Sequence, residues 1–198
     1  MIIGYKRMCA FWFSGFLRVP LLQDYRYLLR LDDDSCILGK INFDVFQHLK
    51  SRNIHYAYRE IGLDPKDVVV GLGDFVDHYV KGKAINITHP TVYPKVLKKG
   101  ASSDNMPTFD TNIEIIDMKR FLERDIAEFA HWVDTSKMIF HRRWGDAPLR
   151  LVEAMVFLDE DKVMRLCDFD YQHSSWDISR RCRRGSKSKR ALHEHINS

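Results

Sequence analysis

The chain has 198 residues, 45% hydrophobic and 29% charged, enough apolar material for one domain with its own core and too much for a disordered or fibrous chain. No window approaches the ~18 uninterrupted apolar residues of a membrane span, and Lys6 and Arg7 interrupt the only run resembling a signal peptide. The net charge of +4 is local: residues 180–190, "RRCRRGSKSKR", hold seven basic residues, leaving 24 basic against 26 acidic residues in 1–179.

That asymmetry divides the chain into a near-neutral domain, 1–178, and a basic, solvated tail, 179–198. A neutral body without a nucleic-acid-binding module argues against nucleic acid as a partner. The four cysteines, Cys9, Cys36, Cys167 and Cys182, form no CxxC pair, which disfavours a zinc ribbon and leaves free thiols and disulfides both open. Asn86-Ile87-Thr88 is a glycosylation sequon that matters only in a secretory lumen. As written the chain is expected in the cytoplasm, or in the Golgi lumen if a longer precursor exists.

In chain order, "GYKRMCAFWFSGFL" (4–17) predicts a buried, aromatic-rich helix ended by Pro20. Residues 25–31 predict a strand whose apolar run suits a central position covered on both faces. "INFDVFQHLKSRN" (41–53) has the period of an amphipathic helix. "IHYAYREI" (54–61) reads as a strand and "GDFVDHYVKGKAI" (73–85) as a helix ended near Gly82. Residues 98–108, "KKGASSDNMPT", read as a loop. A strand at 112–116 leads into a helix capped by Asp117 and running to about Thr135. "RRWGDAP" (142–148) reads as a constrained turn, 149–158 as a helix, 162–169 as a strand and 170–177 as a loop. Alternating strands and helices predict an α/β fold, a mixed sheet flanked by helices.

Asp32, Asp33 and Asp34 stand at the C-terminal end of the first predicted strand, where α/β sheets bind ligands. A solvated turn would tolerate such crowding; so would a divalent cation, and carboxylates are hard ligands that suit Mg²⁺ or Mn²⁺. Glu114, in "TNIEI", reads either as an edge or salt-bridge residue or as a partly buried carboxylate of the kind that acts on an anomeric carbon. "RRWGDAP" gathers Arg143, an aromatic plate and Asp146, a set suited to a sugar; its plainer reading is a helix start with Asp146 as cap and Pro148 in the first turn. His173, at the end of "DYQH", is either a surface histidine or a metal ligand.

Together, "GYKRMCAFWFSGFL", "LLQDYRYLLRLDDDS", "TNIEIIDMKRF", "RRWGDAP" and "DYQH" resemble, in order and spacing, the fungal α-1,2-mannosyltransferases, glycosyltransferase family 15, over residues 4–175. The resemblance implies a GT-A-like, Rossmann-related fold and Mn²⁺-dependent (or Mg²⁺-dependent), retaining transfer of mannose from GDP-mannose to a mannose-containing glycan or glycoprotein acceptor. Asp32 and His173 match metal-side residues of the family. Arg30-Leu31-Asp32-Asp33 stands where many members read Arg-Val-Glu-Pro, and Asp34 adds an Asp-x-Asp pattern that many glycosyltransferases use and those members lack. Glu114 and Asp146 match the acids at the reacting sugar, and Tyr5 and Arg30 match donor-site residues; Arg143 is a further candidate for the donor phosphates. The family's catalytic domain begins before the Gly-Tyr-Lys/Arg helix, so the sequence is N-terminally truncated relative to it. Either a partner or separate segment supplies the nucleotide-binding part, or the nucleotide is held differently, or activity is lost. In the last case the chain is a non-catalytic carbohydrate- or protein-binding remnant.

Overall fold

The computed structural model describes residues 3–101, 105–174 and 177–179. Helix α1 (Ile3–Phe13) is followed by a 3-10 turn and the short α2 (Pro20–Gln23). Pro20 starts a helix instead of ending one, because the first helical position needs no N–H. Helix α1 is not buried throughout: it buries Cys9 and Phe13 and leaves Tyr5 and Phe11 exposed.

Strand β1 (Tyr27–Leu31) stops at Asp32 as predicted; the acidic turn leads to β2 (Ser35–Leu38), then α3 (Val45–Ser51). Helix α3 is shorter than its apolar period because Asp44 caps it, accepting from the backbone N–H of Gln47 at 3.0 Å. The predicted strand 54–61 is two strands, β3 (Tyr56–Tyr58) and β4 (Ile61–Asp64). Between them the buried Arg59 donates to the Leu166 carbonyl at 2.7 Å, and the chain changes sheet.

Helices α4 (Leu72–Gly82) and α5 (Tyr93–Ala101) precede β5 (Met106–Phe109). The predicted loop 98–108 is thus corrected at both ends, to helix through Ala101 and to strand from Met106. Next come β6 (Ile113–Asp117), α6 (Met118–Phe121) and α7 (Arg124–Ser136). Asp117 caps α6 as predicted, accepting from the Lys119 N–H, but the helix breaks before α7. After α8 (Met138–Arg142), α9 (Asp146–Phe157) starts with Gly145, not Asp146, as its cap. The predicted strand 162–169 shrinks to β7 (Val163–Arg165), and the predicted loop 170–177 contains β8 (Asp170–His173) ahead of β9 (Asp177–Ser179).

The principal sheet has the order β1–β6–β3–β7, antiparallel except for the parallel β3–β7 pair. Among the described residues strand β1 therefore lies at an edge, not at the centre, with Leu29 39% and Leu31 42% exposed. Two smaller sheets, β2–β8–β9 and β4–β5, are antiparallel. The mixed sheet with helical cover is the architecture the alternation predicted.

One face of the principal sheet packs on the main core, where α9 is buried along its whole circumference. The other face packs on a smaller core of Leu49, Ile54, Ala57, Ile113, Ile115 and Phe169 among others. Among the described residues no helix is long and apolar enough to cross a membrane. Cys9 and Cys36 are free thiols and Cys167 is disulfide-bonded. The predicted tail beyond Ser179 and Cys182 lie outside the described residues.

Candidate active site

The site grows from β1 and its pairing with β6. Antiparallel register sets Arg30 opposite Glu114, and Glu114 in turn opposite Tyr58 of β3. Glu114 is thus on an interior strand and wholly buried, which removes the edge-residue reading. Arg30 is also buried. Its Nε donates to Asp32 Oδ1 at 3.0 Å, its Nη1 pairs with Asp146 Oδ2, and Glu114 Oε1 lies 3.8 Å away. The guanidinium lies 4.9 Å from the centre of the Trp12 ring. Asp146, in the first turn of α9, also accepts from Thr111 Oγ1 at 2.8 Å.

Behind Glu114 the charges continue. Arg150 Nε is 3.3 Å from Glu114 Oε2, and Arg150 pairs with Glu153 one helical turn on. The rings of Phe13, Phe16 and Phe121 surround the Arg150 guanidinium, all centred within 5.6 Å. A row of alternating sign therefore runs from Asp32 through Arg30, with Asp146 and Glu114, to Arg150 and Glu153. Neither Glu114 oxygen has a hydrogen-bond partner among the described residues, so its contacts to the two arginines are ionic ones of imperfect geometry.

Burial pushes the Glu114 carboxyl up, against the opposing pull of Arg150 and Arg30. Burial likewise pushes Glu153 up to about 7, although Arg150 pulls it down. The Tyr56 phenol rises through burial and then through the negative charge of Glu114. For Arg30 burial works against the charge, but Asp146 and Glu114 outweigh it and raise its pKa.

The acidic turn meets β8 at the C-terminal end of β1, beside Arg30. Register pairs Ser35 with His173, and the Ser174 N–H donates to the Asp34 carbonyl at 2.9 Å. This brings His173 Nε2 to 3.2 Å from Asp34 Oδ1. Asp32, Asp34 and His173 each offer one ligand atom, all within 4.8 Å of one another. Two carboxylates and one imidazole, partly exposed, form a mainly oxygen donor set that fits Mn²⁺ or Mg²⁺. Asp33 stands outside this group. The turn is braced by the Asp32 N–H donating to the Asn112 carbonyl at 2.9 Å. Tyr171 reinforces it, its hydroxyl 2.6 Å from Ser35 Oγ and donating to Asn112 Oδ1 at 3.1 Å.

Tyr5 and Arg143 meet on the α1 side: the guanidinium lies 5.4 Å from the ring centre, and Arg143 adopts a left-handed backbone with φ 69°. Burial, then the neighbouring Cys9, push the Tyr5 phenol up. Burial and Asp146 push the Cys9 thiol up to about 12, so it is inert as a nucleophile. Asp64 joins this corner. Its carboxyl is raised by burial and by Asp146 and lowered by Arg143.

Sequence reasoning did not single out Trp12, Asp64, Thr111, Arg150, Glu153 or Tyr171. Thr111 lies inside the "TNIEI" stretch, and Arg150 and Glu153 sit three apart on an otherwise apolar helix, the one local signal that a buried ion pair was present.

The sequence model described as glycolipid 2-alpha-mannosyltransferase matches residues 2–190. The chain belongs to this family. Among curated members it is 27% identical over 172 residues to the probable mannosyltransferase KTR3 of Saccharomyces cerevisiae, covering 86% of this chain and 42% of that protein. It is 25% identical over 171 residues to glycolipid 2-alpha-mannosyltransferase 2 of Candida albicans, covering 86% and 37%. The crystal structure of core-mannan synthase A (CmsA/Ktr4) from Aspergillus fumigatus, in its Mn/GDP form, superposes with a TM-score of 0.76 at 22% identity, covering 98% of this chain and 56% of that one. The X-ray structure of Ktr4p from S. cerevisiae in complex with GDP gives 0.75 at 21% identity, covering 93% and 52%. The fold is therefore GT-A-like, and this family member spans less than half the length of the curated relatives it matches.

Proposed function

We propose that the domain, residues 1–178, serves a metal-dependent, retaining transfer of mannose from GDP-mannose to a hydroxyl of a mannose-containing glycan or glycoprotein acceptor. The observation that carries this reading is the convergence of Asp32, Asp34 and His173 at the end of β1, beside the Arg30–Asp146–Glu114 cluster. Family membership supports the reaction class, and the Mn/GDP form of the A. fumigatus relative supports the donor and the metal.

Asp32, Asp34 and His173 would hold the cation, and Tyr171 and Asn112 would keep their turn in place. A bound Mn²⁺ or Mg²⁺ would supply positive charge to offset the negative charge developing on a leaving diphosphate. Arg30 orients Asp32 and Asp146 together, and Arg143 brings a second guanidinium to the phosphate side. Asp146, buried and fixed by Arg30 and Thr111, would stand beside the donor sugar. Glu114 lies behind Arg30, so it meets an anomeric carbon only when Arg30 moves aside; otherwise it acts through the position and charge of Arg30. The disulfide at Cys167 and the exposed Asn86 of the sequon favour a secretory lumen, such as the Golgi, over the cytosol.

The test is a thermal-shift titration with Mn²⁺ and GDP. Saturation at a hundred times Kd stabilises by about 2.7 kcal/mol, or about 5–11 °C in Tm for a chain of this size. The shift should require Mn²⁺ and should vanish in Asp34→Asn and His173→Ala. A protein that shows no Mn²⁺-dependent shift, yet binds mannose oligosaccharide, is the non-catalytic binding module instead.

A further inference from the structure

A helix leaves its last four carbonyls without intrahelical donors, and at the end of α9 each of them is met. The Ala154 carbonyl accepts from the Leu158 N–H at 2.9 Å and the Phe157 carbonyl from Arg120 Nη2 at 2.8 Å. The other two are served by one residue: Thr88 Oγ1 donates to the Met155 carbonyl at 2.9 Å and the Thr88 N–H to the Val156 carbonyl at 3.4 Å. Just beyond the helix, His89 Nε2 donates to the Leu158 carbonyl at 2.9 Å.

These partners belong to the loop "AINITH", 84–89, that follows α4. The chain enters it through Ala84, left-handed at φ 51°, and the Ile85 N–H donates to the Val80 carbonyl at 3.0 Å. Ile85 and Ile87 pack against the main core, so the residue between them turns outward. That residue is Asn86, exposed and without a side-chain hydrogen bond among the described residues.

Asn86-Ile87-Thr88 is the only Asn-x-Ser/Thr triplet in the 198 residues. Capping of α9 accounts for Thr88 but assigns nothing to Asn86. The disulfide at Cys167 points independently to an oxidising compartment, where N-glycosylation operates. The two uses of Thr88 conflict in time, however. A hydroxyl has one proton to donate, and the folded chain commits it to a carbonyl 67 residues downstream.

We propose that Asn86 is an N-glycosylation site, filled before α9 docks on the loop and closed to the glycosylating enzyme afterwards. In the transfer, Asn86 Nδ2 attacks the anomeric carbon of a lipid-diphosphate-linked oligosaccharide. The new C–N bond replaces the C–O bond to the diphosphate, which leaves with the electron pair, and one amide proton passes to a base of the glycosylating enzyme. The attachment point lies near the C-terminal end of α9. Asp146 stands in the first turn, about 14 Å away along the axis at 1.5 Å per residue, so the attachment point is clear of the candidate active site. The inference rests on the lumenal placement proposed above and not on the transferase reaction.

The experiment sends the full chain into the secretory lumen of yeast behind a cleavable signal peptide. Mass spectrometry should find one N-linked glycan, and its enzymatic release should leave deamidation at position 86. Asn86→Gln and Thr88→Val should abolish the glycan, and Thr88→Ser should keep it. In chain made by a host without N-glycosylation, Thr88→Val should lower Tm while Asn86→Gln leaves it unchanged, which separates the two uses of the triplet. That folded, unglycosylated chain, offered oligosaccharyltransferase and lipid-linked oligosaccharide, should react at least tenfold more slowly than a peptide of residues 82–92. The proposal is overturned if the lumenal chain carries no glycan, if Asn86→Gln retains it, if Asn86→Gln lowers Tm as Thr88→Val does, or if folded chain and peptide react equally fast. Because the signal peptide supplies delivery, an unmodified lumenal product counts against the site itself, whereas Mn²⁺ and GDP binding test the transferase reading separately.

Discussion

Arg30→Met removes the one positive charge shared by Asp32, Asp146 and Glu114. Arg30 also lies against Met8, with Nη2 3.6 Å from its sulfur, and against Trp12; methionine keeps that packing, so the loss is mainly electrostatic. Glu114 retains Arg150 at 3.3 Å, while Asp146 retains only the Thr111 hydroxyl among these contacts and becomes a buried acid without its cation. Stranding one partner of a buried ion pair costs about 3–5 kcal/mol. At about 2–4 °C per kcal/mol for this chain length, Tm should fall by about 6–20 °C. Differential scanning calorimetry at neutral pH measures it. The double variant Arg30→Met/Asp146→Asn removes the stranded charge and should recover part of the loss, with a coupling energy of about 0.5–3 kcal/mol. A drop below about 3 °C in the single variant, or strictly additive losses in the double, would refute the argument that Arg30 is held by charge rather than by packing.

Glu153 offers a pH test. Its folded pKa, about 7, lies above the ordinary carboxyl value of 4.5, so between these limits the native state binds more protons than the unfolded chain and stability falls as pH rises. Glu153→Gln should flatten the decline of Tm between pH 5 and 7.5, and an unchanged slope would assign that decline to other groups. Gly73 tests close packing: a Cβ there would lie 2.8 Å from the Leu97 carbonyl oxygen of α5. Gly73→Ala gains about 1 kcal/mol of helix propensity but incurs about 1–3 kcal/mol of overpacking against backbone that yields little; thermal melts should show a lower Tm, and a higher one would mean that α5 moves freely.

What the sequence made legible was local. The stop of β1 at Asp32, the Asp117 cap and α4 follow from side-chain chemistry within a few residues. The candidate metal residues were legible as separate motifs, 32–34 and 170–173, and the fold brings ligand atoms of Asp32, Asp34 and His173 within 4.8 Å of one another. The position of β1 in the sheet was not legible, since an apolar run reports what a strand is suited to cover and not which neighbours are present. Residues 98–108 read as a loop because Gly100, Ser102, Ser103 and Asp104 dominate the window and mask the elements entering and leaving it. Pro107 added to that impression, yet β5 tolerates it because among the described residues it pairs only with β4. The Arg30–Asp146 and Arg150–Glu114 contacts join residues far apart in sequence, where spacing carries no information.

The cluster of Asp32, Asp34 and His173 straddles a seam. Asp32 follows β1 of the principal sheet, while Asp34 and His173 stand together on the separate β2–β8–β9 sheet. A cation held there as proposed would couple ion affinity to docking of the small sheet: loosening the seam would release the ion, and saturating the site would clamp the seam. Residue 173 is far in sequence from 32 and 34, so the proposed site would be complete only once the two sheets have met.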